Sequence, residues 1–238
     1  MKTNWEKFDA RTYIGNNYSS IHSEDREIIN RLVTFYSSLS SVMSALEVGV
    51  GPNLYPIMAM LPYIKKIECI DFSKSNLIYL RKQLKKPDDN WYKFWELFRS
   101  LSQEYNIDLV ENLEKKVKTK HGSIYELEEK KYDLASMFFC AESITREHNE
   151  FVLACNKFIK SVKSGGNLVA VFMENSKGYS INNIDFPAYP VDIDLIKKIF
   201  QPKTSSLLVV RIPLARQPLR PGYIGMLLLT AVVKNLKD

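Results

Sequence analysis

The chain has 238 residues, 45% hydrophobic and 25% charged, a composition that supports a large buried core and excludes wholesale disorder. Its formal charge of +6 is spread over lysine pairs such as Lys65-Lys66, Lys85-Lys86 and Lys197-Lys198, not gathered with aromatics into a nucleic-acid groove. The three cysteines have no metal-ligand spacing, the start Met1 to Lys7 lacks an apolar signal core, and no apolar run reaches membrane-spanning length, so a reducing cytoplasm is expected.

Residues 1 to 20 are polar and aromatic, with Trp5, Phe8, Tyr13 and Tyr18 expected to pack on something. Ile28, Ile29, Leu32, Val33 and Tyr36 recur at helical spacing and predict a helix over 22–39, for which Glu24 and Asp25 suit the first turn. A strand over 45–50, a short helix over 54–60 and a second strand over 66–70 follow. Ser73 caps a helix running to about Lys85, and Pro87 breaks it. Residues 91–105 form an aromatic amphipathic helix, better suited to packing than to a substrate cage, and a lysine-rich stretch to Lys120 has helical character. Beyond it come a strand over 132–139, a helix over 147–163, a Gly165-Gly166 turn, a strand over 167–173, a helix over 192–200, and strands over 206–212 and 224–233.

Strands alternating with helices imply an α/β, doubly wound, mostly parallel sheet covered on both faces. The last two strands, joined by residues 213–222, have no room for a crossover helix and should pair antiparallel. No internal repeat or domain linker interrupts residues 1–238.

Chemistry concentrates at Leu46-Glu47-Val48-Gly49-Val50-Gly51-Pro52 and Ile67-Glu68-Cys69-Ile70-Asp71. Gly49 and Gly51 allow a sharp turn close to a ligand, and Asp71 follows Gly51 by twenty residues, the separation at which an acid on the second strand reaches ribose hydroxyls. Pro52 suits a first helical turn but removes an amide that a pyrophosphate would use, and the third glycine of the dinucleotide pattern is absent. A nicotinamide-dependent oxidoreductase is therefore disfavoured, and a phosphate-free adenosine cofactor, S-adenosylmethionine, fits better.

The run from Glu47 to Pro52 resembles motif I of class I S-adenosylmethionine-dependent methyltransferases, in the form used by the nicotinamide, phenylethanolamine and thioether methyltransferase group. Phe8 to Tyr13 with Tyr18 is similar to that group's N-terminal aromatic motif, and Asp71-Phe72-Ser73-Lys74-Ser75-Asn76-Leu77 to its acidic-loop motif. The resemblance implies a Rossmann-like seven-stranded sheet with a C-terminal antiparallel hairpin. It also implies an N-terminal lid and helix over 1–44, a core over 45–238, and a helical insertion near 87–118. It implies that Tyr13 and Tyr18 close over the cofactor, that Gly49, Gly51, Pro52 and Tyr55 meet its methionine part, and that Asp71, Phe72, Ser73 and Asn76 meet its ribose and neighbouring groups. Gly122, Ser123 and Ile124 would border the adenine, with Ser123 where the family has an acid, and Phe138, Phe139 and Cys140 would meet the cofactor at a strand end.

Glu142 and Glu174 each follow a predicted strand, where carboxylates could orient a cationic acceptor; their alternative is as solvated loop acids or helix caps. Tyr18 and Tyr179 are further acceptor contacts, with Arg211 a weaker one that could instead pair with an acid. The expected reaction is methylation of a nitrogen on a small amine, amide or guanidine-type metabolite, by a monomer or dimer that uses no metal, nucleic acid or membrane. O- or S-methylation and a non-catalytic cofactor-binding or scaffold role are the alternatives.

Overall fold

A computed structural model of the protein describes residues 5–40, 42–215 and 222–235; the first four residues and most of the connection between the last two expected strands lie outside them. In chain order the elements are α1 (Ala10–Tyr18), α2 (Ser23–Ser37), β1 (Val42–Val48), α3 (Tyr55–Met60), β2 (Ile64–Asp71), α4 (Lys74–Lys85), α5 (Asp89–Leu101), α6 (Leu109–Lys116) and β3 (Val117–His121). They continue with β4 (Tyr132–Phe138), α7 (His148–Lys160), β5 (Val162–Glu174), β6 (Tyr179–Ile181), β7 (Ile184–Phe186), α8 (Ile193–Phe200), β8 (Thr204–Pro213) and β9 (Gly225–Val233).

The main sheet has the order β3-β2-β1-β4-β5-β9-β8. Its first five strands are parallel, while β9 lies antiparallel between β5 and β8. The chain winds outward from β1 to β3 and returns to the other side of β1 as β4. A crevice therefore opens beyond the carboxyl ends of β1 and β4, where crossover connections leave in opposite directions.

Side chains alternate across each strand, so the sheet feeds two cores. On β5, Val169, Val171 and Met173 join the core beneath α1 to α6, and Leu168, Ala170 and Phe172 join the one beneath α7 and α8. Several helix starts are fixed by side chains that accept from free first-turn amides: Asp9 from Thr12 N, Ser73 from Asn76 N, Asp108 from Glu111 N and Asp192 from Leu195 N.

Three expectations change. The lysine-rich stretch is α6 followed by β3, whose alternation of Val117 and Thr119 with Lys118 and Lys120 is that of a half-exposed edge strand. Lysines on such an edge discourage pairing with another chain. Gly165-Gly166 falls within the span of β5 and accompanies a shift in its register with β4. Residues 179–186, with no element expected, form a hairpin whose Asn182 and Asn183 both have positive φ, 49° and 62°. That backbone suits a two-residue hairpin turn, and the Asn-Asn pair was its signal in the sequence.

Phe172 is fully buried, with its ring against Phe151 and Phe200. Phe172→Ala is expected to cost about 3–5 kcal/mol through lost burial and the cavity left behind. A urea titration should show a lower midpoint at an unchanged slope.

Candidate active site

A cavity of about 300 Å³ occupies the crevice, and most of its wall comes from the ends of β1, β2 and β4 and from the segments after them. Gly49 and Gly51 form the turn after β1, with φ of 63° and 55°. At Gly49 the limit is also steric, because an added Cβ would lie 2.1 Å from Cys140 Sγ. Around Gly51 there is room, and the backbone angle alone selects glycine.

The turn is knitted to β2. Gly49 N and Val50 N donate to Ile70 O at 2.8 and 3.3 Å, and Gly51 N donates to Asp71 Oδ2 at 2.7 Å. Asp71 Oδ1 accepts from Ser73 N at 2.8 Å and Asn76 Nδ2 at 3.3 Å. A carboxylate offers about four acceptor sites, so three donors orient Asp71 and leave capacity for a ligand hydroxyl. Burial raises its pKa above the usual value, against the pull of those same donors and with a small push from Glu6.

Pro52 stays in the turn, three residues before α3; Pro56 occupies the first helical turn instead, where its missing amide costs least. Asn53 Nδ2 donates to the Tyr18 hydroxyl at 3.2 Å, and Asn90 Nδ2 to the Tyr18 carbonyl at 3.1 Å, which hold the end of α1 against the turn.

Tyr13, Tyr18, Gly49, Gly51, Pro52, Asp71, Phe72, Ser73, Asn76, Gly122, Ser123, Ile124, Phe138, Phe139, Cys140 and Tyr179 all line the cavity. Tyr55 does not: it is fully buried behind Tyr18, stacked on Phe94 with ring centroids 5.7 Å apart. Glu142 and Glu174 are also absent from the wall. Neither is a solvated loop acid, since both are completely buried. Glu142 accepts from Met173 N at 3.0 Å, and Glu174 is ion-paired with Arg211, so each serves the strand ends beside the crevice. The Arg211 pairing is the structural alternative read from the sequence.

Trp5, Phe8, Asn53, Tyr125, Ser143 and Ile144 line the cavity without having been singled out as site residues. Trp5 and Phe8 had a signal, as aromatics in a polar arm that had to pack somewhere. Asn53, Tyr125, Ser143 and Ile144 had none, because only the crevice brings their segments together. Burial pushes Tyr125 up to about 12 and Tyr18 well above the ordinary phenol value, so both carry their protons at neutral pH.

Three solved structures show what this architecture is similar to. The complex of DhpI with SAH has 10% identity and a TM-score of 0.61, over 95% of this chain and 92% of that one. Phosphoethanolamine N-methyltransferase 2 of Haemonchus contortus, with S-adenosyl-L-methionine, has 10% identity and a TM-score of 0.59, over 94% and 56%. The N-methyltransferase NodS of Bradyrhizobium japonicum, with S-adenosyl-L-homocysteine, has 12% identity and a TM-score of 0.57, over 93% and 98%. At such identities the likeness shows the fold alone: the Rossmann-like fold of S-adenosylmethionine-dependent methyltransferases. The model of the NNMT/PNMT/TEMT family matches residues 1–212, and the chain belongs to that methyltransferase family. No curated protein matches the sequence.

Gly49→Ala should lower the melting temperature and remove ligand binding at the crevice. Adding Cys140→Ala should restore only part of the stability, because the Cβ of residue 140, 2.6 Å from the added methyl, remains, together with about 1–2 kcal/mol for the left-handed backbone. Glu47, one position before Val48 on β1, is 1% exposed, and burial raises its pKa to about 8. Neither of its oxygens meets hydrogen-bond geometry, although the nearby Ser136 hydroxyl and Phe138 amide temper the rise. The folded state therefore holds a proton that the unfolded chain releases near pH 4.5, and stability should fall as pH rises from about 4.5 to 8. The slope is at most about 1.4 kcal/mol per pH unit, and Glu47→Gln should flatten that limb in denaturation curves taken across the range.

Proposed function

We propose that the protein transfers a methyl group from S-adenosylmethionine to a nitrogen of a small amine, amide or guanidine-type metabolite in the cytoplasm. The observation that carries the cofactor assignment is the joined turn and acid: Gly51 N on Asp71 Oδ2 at 2.7 Å, beside a cavity that both residues line. The chemistry of the donor set fits a ligand with ribose hydroxyls and no phosphate, because Asp71 supplies a negative acceptor and the turn has spent two of its amides on Ile70. An N-methyltransferase reading is supported by the activities of NodS and the Haemonchus enzyme, both N-methyltransferases.

In this reading Gly49, Gly51 and Pro52 pass close to the methionine part, while Asp71, with Ser73 and Asn76 orienting it, accepts from the ribose. Phe72 and the segment Gly122-Ser123-Ile124 border the adenine; Ser123 Oγ already accepts from Tyr125 N at 3.2 Å. Phe138, Phe139 and Cys140 close the floor. When bound, the cofactor supplies an electrophilic methyl carbon on a positively charged sulfur. The residues of the chain then exclude water and hold the acceptor nitrogen in line, the two contributions on which such a displacement chiefly relies. Tyr13, Tyr18 and Tyr179 would form the acceptor side. Glu142 and Glu174 would contribute by holding the ends of β4 and β5 in place, as positioning residues. O- and S-acceptors undergo the same displacement, and a purely cofactor-binding role would leave this geometry intact.

A methyl-transfer screen over amines, guanidines, pyridines and thiols, read as S-adenosylhomocysteine release, tests the assignment. Turnover with a nitrogen acceptor is the expected result; turnover with thiols alone, or none with any class, overturns it. Calorimetry with Asp71→Ala should show cofactor binding weakened by about 1–3 kcal/mol, the loss for charged hydrogen bonds. Unaltered affinity in that variant would remove the ribose from Asp71.

A further inference from the structure

Among the described residues that line the cavity, Asp71 is the only acid, and none is a lysine, arginine or histidine. The cofactor reading above gives that acid to the sugar and the turn after β1 to the methionine part. The base then lies on the far side of the sugar, toward the segments that follow β3 and β4. β3 is the next strand outward from β2, with His121 paired to Asp71 and Gly122 N donating to Asp71 O at 3.1 Å. Ser123 and Tyr125 thus stand one strand beyond Asp71 on the cavity wall. The short turns Ile124–Glu126 and Ala141–Ser143 both pack against α7, so Ser143 shares this side of the cavity.

The polar side chains on this side are hydroxyls with hydrogen-bonding capacity to spare. Ser143 is 4% exposed, and its Oγ has no hydrogen-bond partner. A buried hydroxyl in that state is costly, and a polar ligand atom in the cavity would relieve the cost. Ser123 Oγ accepts from Tyr125 N at 3.2 Å, which uses one lone pair and leaves its proton and second lone pair for another partner. Such groups separate purines poorly. Adenine presents an amino donor at position 6 and an acceptor at N1; a 6-oxopurine presents a carbonyl acceptor and an N–H donor at the same places. A carboxylate only accepts, so it selects the amino group and repels the carbonyl, and a cation does the reverse. A serine hydroxyl turns to accept from one or to donate to the other.

We propose that Ser123 and Ser143 meet the purine edge through their hydroxyls, so that the site takes 6-oxopurine nucleosides of the same thioether type as well as the adenine form. The proposal rests on the cofactor reading above. Selection then falls on the parts the two ligands share: the sugar at Asp71 and the amino acid end at the glycine turn. The base is held by shape and by hydroxyls that serve either pattern of donors and acceptors.

Calorimetry on the full chain with S-adenosylhomocysteine and with its 6-oxo counterpart, S-inosylhomocysteine, measures the discrimination directly. Wild-type dissociation constants should agree within about tenfold, whereas a site that reads one hydrogen-bonding group through a dedicated partner rejects the analogue without it by roughly 10⁴-fold or more. Ser123→Asp keeps an acceptor for Tyr125 N and turns a fixed negative charge toward the base. Its preference for the adenine form should rise to roughly a hundredfold, chiefly through loss of the oxo form. Ser143→Ala should weaken both ligands alike, by roughly three- to tenfold, the worth of one neutral hydrogen bond. A wild-type preference of a hundredfold or more for either ligand overturns the proposal, and this comparison needs no variant. So does a Ser123→Asp protein that folds like wild type by circular dichroism and keeps the wild-type ratio, or a Ser143→Ala protein that binds both ligands as tightly as wild type. Wild-type protein that binds neither ligand would instead mark the cofactor reading as the failed step.

Discussion

Between the end of β1 and the end of β2, the backbone N–H of Gly51 meets the carboxylate of Asp71 at 2.7 Å. Much of the site's geometry follows from this contact. It fixes the turn carrying Gly49 and Gly51 against the neighbouring strand and aims Asp71 along the wall of the crevice. Ser73 and Asn76 complete the orientation from the start of α4. The acid is buried, a state that raises its pKa, and these three donors make its charge tolerable there. A binding group held this way needs little rearrangement when a ligand arrives, and part of the cost of binding has been met during folding.

Around this polar centre the walls are mostly rings. Tyr18 touches Tyr13, Tyr55, Trp91 and Phe94, and thereby joins the arm, α3 and α5 into one aromatic layer. The layer gives a role to the aromatic run after Pro87: Trp91 and Phe94 are fully buried and support the wall from behind without lining the cavity. Tyr105, just past α5, secures the same segment by donating from its hydroxyl to Ala59 O at 2.7 Å. Rings of this size contribute large apolar area with few rotatable bonds, a suitable material for a wall that must exclude water and keep its shape.

The placement of Glu142 and Glu174 shows where reading a strand end from sequence stops being sufficient. Both follow strands that approach the crevice, and that much was legible. Whether a side chain at such a position faces the cavity depends on the final residue's register and on the segments folded over it. Here the Met173 amide takes Glu142, and Arg211 on β8 takes Glu174. Arg211 reaches Glu174 because β9 carries β8 back to the sheet, a pairing between residues 37 apart that no local pattern encodes. Tyr55 is a similar case. Its motif position suggested a ligand contact, yet its ring is consumed in packing behind Tyr18.

The sequence by itself determined the alternation of strands and helices, the antiparallel return of the last two strands, the glycine turn, and the acid twenty residues beyond it. These are short-range properties, set by side-chain periodicity, by the absence of a Cβ, and by the fixed number of residues a strand–helix–strand unit requires. Tertiary structure alone decided that Lys118 and Lys120 lie on an edge strand, and that the β6–β7 hairpin and the arm meet over the cavity. It also decided that the buried Glu142 and Glu174 meet a backbone amide and an arginine in place of a ligand. Those outcomes depend on contacts between segments far apart in the chain, whose strength is set by burial and charge at the meeting point and has no trace in either segment read separately.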